Sequence, residues 1–208
     1  MPFGYLGTTP NQKLNNSGVF SVEEALQVQK DGEWGGSLQL IEEKSISGVS
    51  SAIFTDIKEA KYDVHFLEII DYQPVSDGTD IRIRFYESGV EESASVYQYA
   101  FEYMVSTGSR QEVQSTGESY LRATFNTGNA TNEKGNSYNY FYNLGNSSKY
   151  SFQTMQTVLI QDNGNFNTAF GGGLLPQTST VNQIKLYNSG GNFSCTAKLY
   201  GVKQLWVI

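Results

Sequence analysis

The chain holds one histidine, one cysteine and 21 carboxylates, and these bound its chemistry before any fold is considered. His65 sits in the run Tyr62-Asp63-Val64-His65-Phe66, away from any Ser- or Cys-based elbow motif, so it reads as a structural or surface imidazole. Cys195 falls on the apolar phase of its segment and reads as a buried small hydrophobe with little thiolate character. A lone cysteine allows no intrachain disulfide, and a lone histidine excludes a site built from several His or Cys ligands. Only an all-oxygen metal site remains. Asp71, Asp77 and Asp80 are its candidates, but the EF-hand spacing is missing and Asp77-Gly78 is a common hairpin turn, so no metal and no cofactor are expected. Glu87, Glu91 and Glu92 flank a turn close in sequence to Asp77 and Asp80, as a glycosidase pair would require. Nothing marks one of them as an acid held neutral. The chain is expected not to be an enzyme, with a polysaccharide depolymerase the least favoured reading.

Aromatic spacing is the richer signal. Tyr97, Tyr99, Phe101 and Tyr103 share one strand face, and Tyr138, Tyr140 and Tyr142 share another, with Asn139, Phe141 and Asn143 alternating against them. Tyrosine combines a large apolar ring with a polar tip, so such a row suits either a stacked sugar or a protein interface. Packing inside a sandwich is the alternative for both rows. The candidate binding set is therefore Tyr138, Tyr140, Tyr142, Asn139 and Asn143, together with Tyr97, Tyr99 and Tyr103.

The elements that must position these residues are strands. From Trp34 onward the dominant period is two: Ile81, Ile83 and Phe85 alternate with Asp80, Arg82 and Arg84, and Phe193, Cys195, Ala197 and Leu199 alternate with Ser194, Thr196 and Lys198. In Tyr62–Ile70 the apolar set changes phase between Phe66 and Leu67, which predicts a bulge or burial on both faces. Gly-containing turns at Asp77-Gly78, Ser88-Gly89, Thr107-Gly108, Asn163-Gly164 and Ser189-Gly190-Gly191 separate roughly ten short strands. The fold class is mainly β: an antiparallel β-sandwich or jelly roll, since a parallel α/β fold would need crossover helices that the pattern lacks. One short helix is predicted at about 21–31, with Ser21 as N-cap, Glu24 closing a capping box and Gly32 as the stop.

At 208 residues the chain suits one domain, read as a single sandwich over 19–208 preceded by an extended arm over 1–18. The arm carries Phe3, Tyr5 and Leu6, and the chain ends on Leu205-Trp206-Val207-Ile208, so Phe3, Tyr5, Leu6, Trp206 and Ile208 are candidate anchoring residues. An arm docked on a partner and an arm folded over its own domain are both open. A net charge of −7 argues against nucleic acid, whose phosphates call for a Lys/Arg excess, and against anionic membrane surfaces. Residues 1–125 carry 19 acidic and 9 basic side chains, against 2 and 5 in 126–208, a charge dipole suited to ordered packing with copies of itself. No stretch approaches the ~20 apolar residues of a spanning helix and the start has no leader pattern, so a soluble, cytoplasmically made protein without membrane insertion is expected. The four Asn-X-Ser/Thr sequons at Asn15, Asn129, Asn146 and Asn192 are accordingly expected to stay unglycosylated.

Several strings, MPFGYLGTTP, FSVEEALQVQKDGEWG, YDVHF, IRFYESGV, YNLGNSSKYSFQT and GGGLLPQTSTVNQIKLY, together resemble the short virion structural proteins of marine tailed bacteriophages, whether tail-fibre-like, knob-like or capsid-decorating. The resemblance spans about residues 17–201 and carries no catalytic signature. It implies a compact virion subunit anchored by its N-terminal arm, made in the host cytoplasm. Its partners would be other capsid, tail or portal-vertex proteins and copies of itself, a trimer among the options. The alternative it leaves open is a receptor-recognition module that binds a host-surface glycan.

Overall fold

The computed structural model describes residues 22–23 and 37–203 of the chain. Among the described residues thirteen strands, numbered in chain order, form two antiparallel sheets. The larger runs in the order β1 (Leu38–Val49), β13 (Phe193–Val202), β3 (Val64–Pro74), β9 (Gly135–Tyr142), β10 (Ser151–Ile160), β11 (Phe166–Leu175), β6 (Tyr97–Val105), β7 (Arg110–Glu118). The smaller runs β2 (Ser51–Phe54), β12 (Val181–Asn188), β4 (Ile81–Glu87), β5 (Val90–Glu91), with β8 (Leu121–Arg122) also paired to β4. The chain passes repeatedly between the layers. β1 and β2 are separated by Ser50 alone, so one nearly continuous strand turns the corner from one sheet to the other.

Period-two patterning decides which face of each strand is dry. Leu67 and Ile69 on β3, Phe141 on β9, and Phe193, Cys195, Ala197 and Leu199 on β13 meet Ile81, Ile83 and Phe85 on β4 and Val181, Ile184 and Leu186 on β12 in one apolar core. The mainly β, antiparallel sandwich predicted from the alternation is the observed architecture. In β3 the alternation is unbroken from His65 to Ile70, with Leu67 buried and Phe66 on the opposite face. The bulge predicted at Phe66/Leu67 lies instead at Asp71, where φ is 54° and the register against β9 slips between Ile69 and Tyr72. Phe66 mimicked a phase change because the outer face of this sheet is itself aromatic. Val22 and Glu23 have helical backbone, while the rest of the predicted helix, the arm and the C-terminal residues 204–208 lie outside the described residues.

The small sheet is narrower than the large one, and residues 119–127 cover the inner face that it leaves bare. Tyr120 and Phe125 from this segment pack on Tyr99, Phe101 and Tyr103 of β6, Phe125 lying 4.3 Å from Tyr103 between ring centroids. A crossing segment inside a sandwich brings peptide groups into the core, and these must be paired. Ser137 Oγ donates to Ala123 O at 2.7 Å, and Gln153 Nε2 donates to Arg122 O at 2.8 Å. Gln153 Nε2 also donates to Asn139 Oδ1 at 2.8 Å, and Asn139 Nδ2 donates to Ser137 Oγ at 3.1 Å. Thr124 Oγ1 accepts from Ile81 N at 2.8 Å, and Thr127 bridges Thr79 and Gln161, joining the corner of one sheet to the end of the other. Replacing Gln153 by Leu would leave two buried acceptors without a donor, so urea unfolding should show a loss of about 1–3 kcal/mol. Unchanged stability would mean the amide does not hold the crossing segment.

Candidate functional site

The two tyrosine rows have opposite fates. Tyr97, Tyr99 and Tyr103 point into the sandwich and are buried, which removes them from the candidate binding set. Their polar tips are used inside. Tyr97 Oη accepts from Phe85 N at 3.0 Å and donates to Glu92 O at 3.2 Å, and Tyr103 Oη donates to Gln111 Oε1 at 2.5 Å. The physical reason is shared phase: Phe101 lies between them and needs the cover that Tyr120 and Phe125 provide. Asn139 likewise belongs to the buried amide network and touches no surface. Asn143 takes a left-handed turn conformation, φ 64°, and donates to Tyr150 O at 3.2 Å.

Tyr138, Tyr140 and Tyr142 stand on the outer face of the large sheet, where strand pairing places them in three parallel rows. The central row reads Leu40, Tyr200, Phe66, Tyr140, Thr154, Gly172, Ala100, Gln114 across all eight strands. At about 4.8 Å between strands this row spans roughly 34 Å. Its first four residues are large, and the next three, Thr154, Gly172 and Ala100, are small. Phe66 is the hub of the large half, with ring centroids 4.8 Å from Tyr140, 5.8 Å from Tyr200 and 6.2 Å from Tyr138. Tyr138 stands edge-on to Tyr140 and donates to Gln156. With Leu40 these rings form a ridge whose outermost members are exposed, Tyr138 by 42% and Leu40 by 50%.

The small half is a trough of about 470 Å³ floored by Ala100 and Gly172. One bordering row supplies Phe152, Leu174 and Gln98, and the other supplies Phe170. The floor is low because β11 carries Gly171-Gly172-Gly173 between β10 and β6. A Cβ at Gly171 would lie 2.4 Å from Ala100 O, and one at Gly172 would lie 2.4 Å from Gln153 O, so neither position accepts a side chain without moving a neighbouring strand. Phe66, Tyr200, Phe152, Phe170 and the two amides of the trough escaped the sequence reading. Their signal was membership of the wet phase of their strands, as with Tyr200 following Ser194, Thr196 and Lys198.

The chemistry-bearing residues are absorbed by the fold. His65 is fully buried, its Nε2 donates to Ile57 O at 2.8 Å, and Tyr62 stands edge-on to the ring at 6.0 Å. Burial holds the imidazole below its ordinary value, outweighing the Ile57 hydrogen bond and nearby Asp63. Burial pushes the Cys195 thiol up to about 12. Burial also pushes the Glu91 carboxyl up, but hydrogen bonds from Lys185, Arg84 and Tyr86 outweigh it and hold the group below its usual range. Glu87 accepts from Ser179, and Glu92 accepts from Gln177 at 2.9 Å. Asp80 pairs with Arg122 at 2.6 Å, Asp77 accepts from Asn129 N at 3.1 Å, and Asp71 lies 3.8 Å from Lys134. Among the described residues no three His, Cys, Asp or Glu side chains converge as metal ligands, and no helix is long and apolar enough to cross a membrane.

On the face of the small sheet opposite Ile81, Ile83 and Phe85 the cations stack on tyrosines, one of them Tyr120 of the buried cluster on β6. Arg82 lies 4.0 Å over Tyr120 and Arg84 lies 4.8 Å over Tyr187. Arg84 and Lys185 share Glu91, and Arg82 lies 3.5 Å from Asp80, so the cations of this face are ion-paired within it. The candidate site is therefore the outer face of the large sheet, a ridge beside a trough. The anchoring candidates Phe3, Tyr5, Leu6, Trp206 and Ile208 lie outside the described residues. Comparison with known protein families, with curated proteins and with solved structures returns no match.

Two titrations check the buried groups. The single imidazole gives one ring C2 proton resonance, and its NMR midpoint should fall below 6.5. Because the folded-state value is depressed, the unfolded chain binds the proton first as pH falls. His65 thus contributes stability above pH 6.5 that is lost as the pH drops through the folded value. A midpoint above 6.5 would contradict the burial argument. Cys195 should resist iodoacetamide at pH 8.5 in the folded chain and be alkylated once urea unfolds it. Fast alkylation of native protein would mean that the strand is open there.

Proposed function

We propose that this chain is a non-enzymatic structural subunit of a tailed-bacteriophage particle, a compact knob, decoration or tail-appendage subunit that meets its neighbours through the ridge. The observation carrying this reading is the cluster of Leu40, Phe66, Tyr138, Tyr140 and Tyr200 on one face of a rigid sheet. Clustered tyrosine and phenylalanine rings are the composition of an interface core, and the ring tips keep hydrogen-bonding capacity for a partner. The resemblance of the chain's strings to short virion proteins supports the phage setting. The use of His65, Cys195 and Glu91 within the fold supports a non-catalytic role. On this reading the partners are other virion proteins and copies of the same chain, and a closed trimer would multiply weak ridge contacts through effective concentration. The arm over 1–18 is the anchor.

A second reading, recognition of a host-surface glycan by the same face, is favoured by the trough beside the ridge, where an exposed aromatic ring stands next to uncharged polar side chains.

Particle assembly tests the structural reading. Particles assembled with a chain lacking residues 1–18 should lose the protein while the truncated domain stays folded. A Tyr138→Ser, Tyr140→Ser double variant should incorporate poorly with an unchanged unfolding midpoint. Normal incorporation of the truncated chain removes the anchoring claim, and normal incorporation of the double variant removes the ridge as the contact.

A further inference from the structure

We infer that the trough between β10, β11, β6 and β7 binds a neutral hexopyranose unit of a glycan, seated on Phe152 over the Gly172–Ala100 floor. This rests on the glycan-recognition reading and assigns it a place, away from the tyrosine ridge. Three observations carry it. The trough's roughly 470 Å³ falls within the range of about 300–1,000 Å³ typical of small-ligand sites. Phe152 is 40% exposed and stands at its border with Leu174, offering an aromatic surface for the C–H face of a sugar ring. Gln98, Gln114 and Thr116 stand around the floor, and among the described residues no hydrogen bond of the fold engages their side chains. Each primary amide offers two donors and an acceptor on adjacent atoms, which matches vicinal hydroxyls.

Charge decides the class of sugar. No Asp, Glu, Lys or Arg lines the trough. In the neighbouring row Glu102 is answered by Arg110, with Nη2 donating to Oε2 at 2.7 Å, and Glu112 pairs with Glu102 across β6 and β7. An acidic sugar would bring its carboxylate beside these glutamates with no cation of its own in the trough. A neutral hexose or N-acetylhexosamine meets no such penalty. The trough is also the part of the face where large side chains are forbidden by the close approach of β10 and β6 to the glycines, so its open floor is built into the strand pairing. A flat protein partner would be met by the projecting ridge, whereas a recessed, uncharged, amide-rimmed floor fits a ring of sugar dimensions.

The test uses the intact chain and saturation-transfer NMR with the methyl glycosides of glucose, galactose, mannose and N-acetylglucosamine, with methyl glucuronide as the acidic probe, alongside an array of immobilised bacterial saccharides. Transfer to at least one neutral glycoside is expected, with little to the glucuronide. Ala100→Trp, which fills the floor from an exposed position, should abolish the transfer. Phe152→Ala should do the same, and Gln114→Ala should weaken binding by up to roughly tenfold. Tyr140→Ala should leave it intact. Matching unfolding midpoints establish that each variant is folded, and Ala100→Trp fills the floor itself while Gln114→Ala removes one amide from the paired strand beside it. If transfer survives Ala100→Trp and Phe152→Ala but is lost in Tyr140→Ala, the sugar sits on the ridge. The trough assignment then falls while glycan recognition stands. Preference for the glucuronide overturns the neutral class, and silence of every glycoside and of the array overturns both the trough and the glycan reading.

Discussion

The hydrogen bonds from Gln153 and Ser137 to the peptide carbonyls of Arg122 and Ala123 are the interactions on which the rest of the molecule depends. The four strands β2, β12, β4 and β5 cannot cover an eight-stranded layer, and bare apolar strands at its flank would be exposed. Residues 119–127 fill that gap, but a chain segment crossing a core carries donors and acceptors that cannot be left unpaired. The polar row Ser137, Asn139, Gln153 supplies the partners at positions where alternation would otherwise place apolar side chains. Once the segment is tied there, Tyr120 and Phe125 close over β6, and the first tyrosine row becomes core.

What is left outside follows from the same pairing. Antiparallel register aligns one residue from each of eight strands, and the sizes in that row fall from tyrosine and phenylalanine to glycine and alanine. Ridge and trough are thus one feature seen at its two ends. The three glycines matter through the strands they admit: β10 and β6 approach β11 so closely that a Cβ would strike backbone. The valley floor is consequently part of the sheet itself, as rigid as the hydrogen-bond ladder beneath it.

The titratable residues illustrate how a fold consumes chemistry. His65 spends one nitrogen on the Ile57 carbonyl, Glu91 gathers two cations and a phenol, and Asp80 holds Arg122. The cationic side chains of the small sheet sit over tyrosine rings and pair with Glu91 and Asp80, so that layer presents a lattice of charge and ring. The two outer faces of the sandwich therefore differ in kind, one ion-paired within itself and one left with projecting rings and unengaged amides. A face of the second kind is suited to association.

Alternation, turn glycines and the absence of crossover patterns were enough in the sequence to specify an antiparallel β-sandwich, because side-chain period and turn stereochemistry are local properties. The same local rule set Cys195 inside and made Tyr138, Tyr140 and Tyr142 one row. It could not say which of two tyrosine rows faces water, since Tyr97–Tyr103 and Tyr138–Tyr142 have the same pattern and the choice depends on what lies across the core. Nor could it place Phe66, whose ring on the outer face looked like a break in phase, or Asn139, whose burial makes sense only beside the crossing segment. The partition of aromatic residues between core and surface, and the alignment of Tyr140 with Thr154, Gly172 and Ala100 into one ridge and one trough, were decided by tertiary structure. Both depend on strand order and register between residues far apart in the chain, information that no local spacing contains.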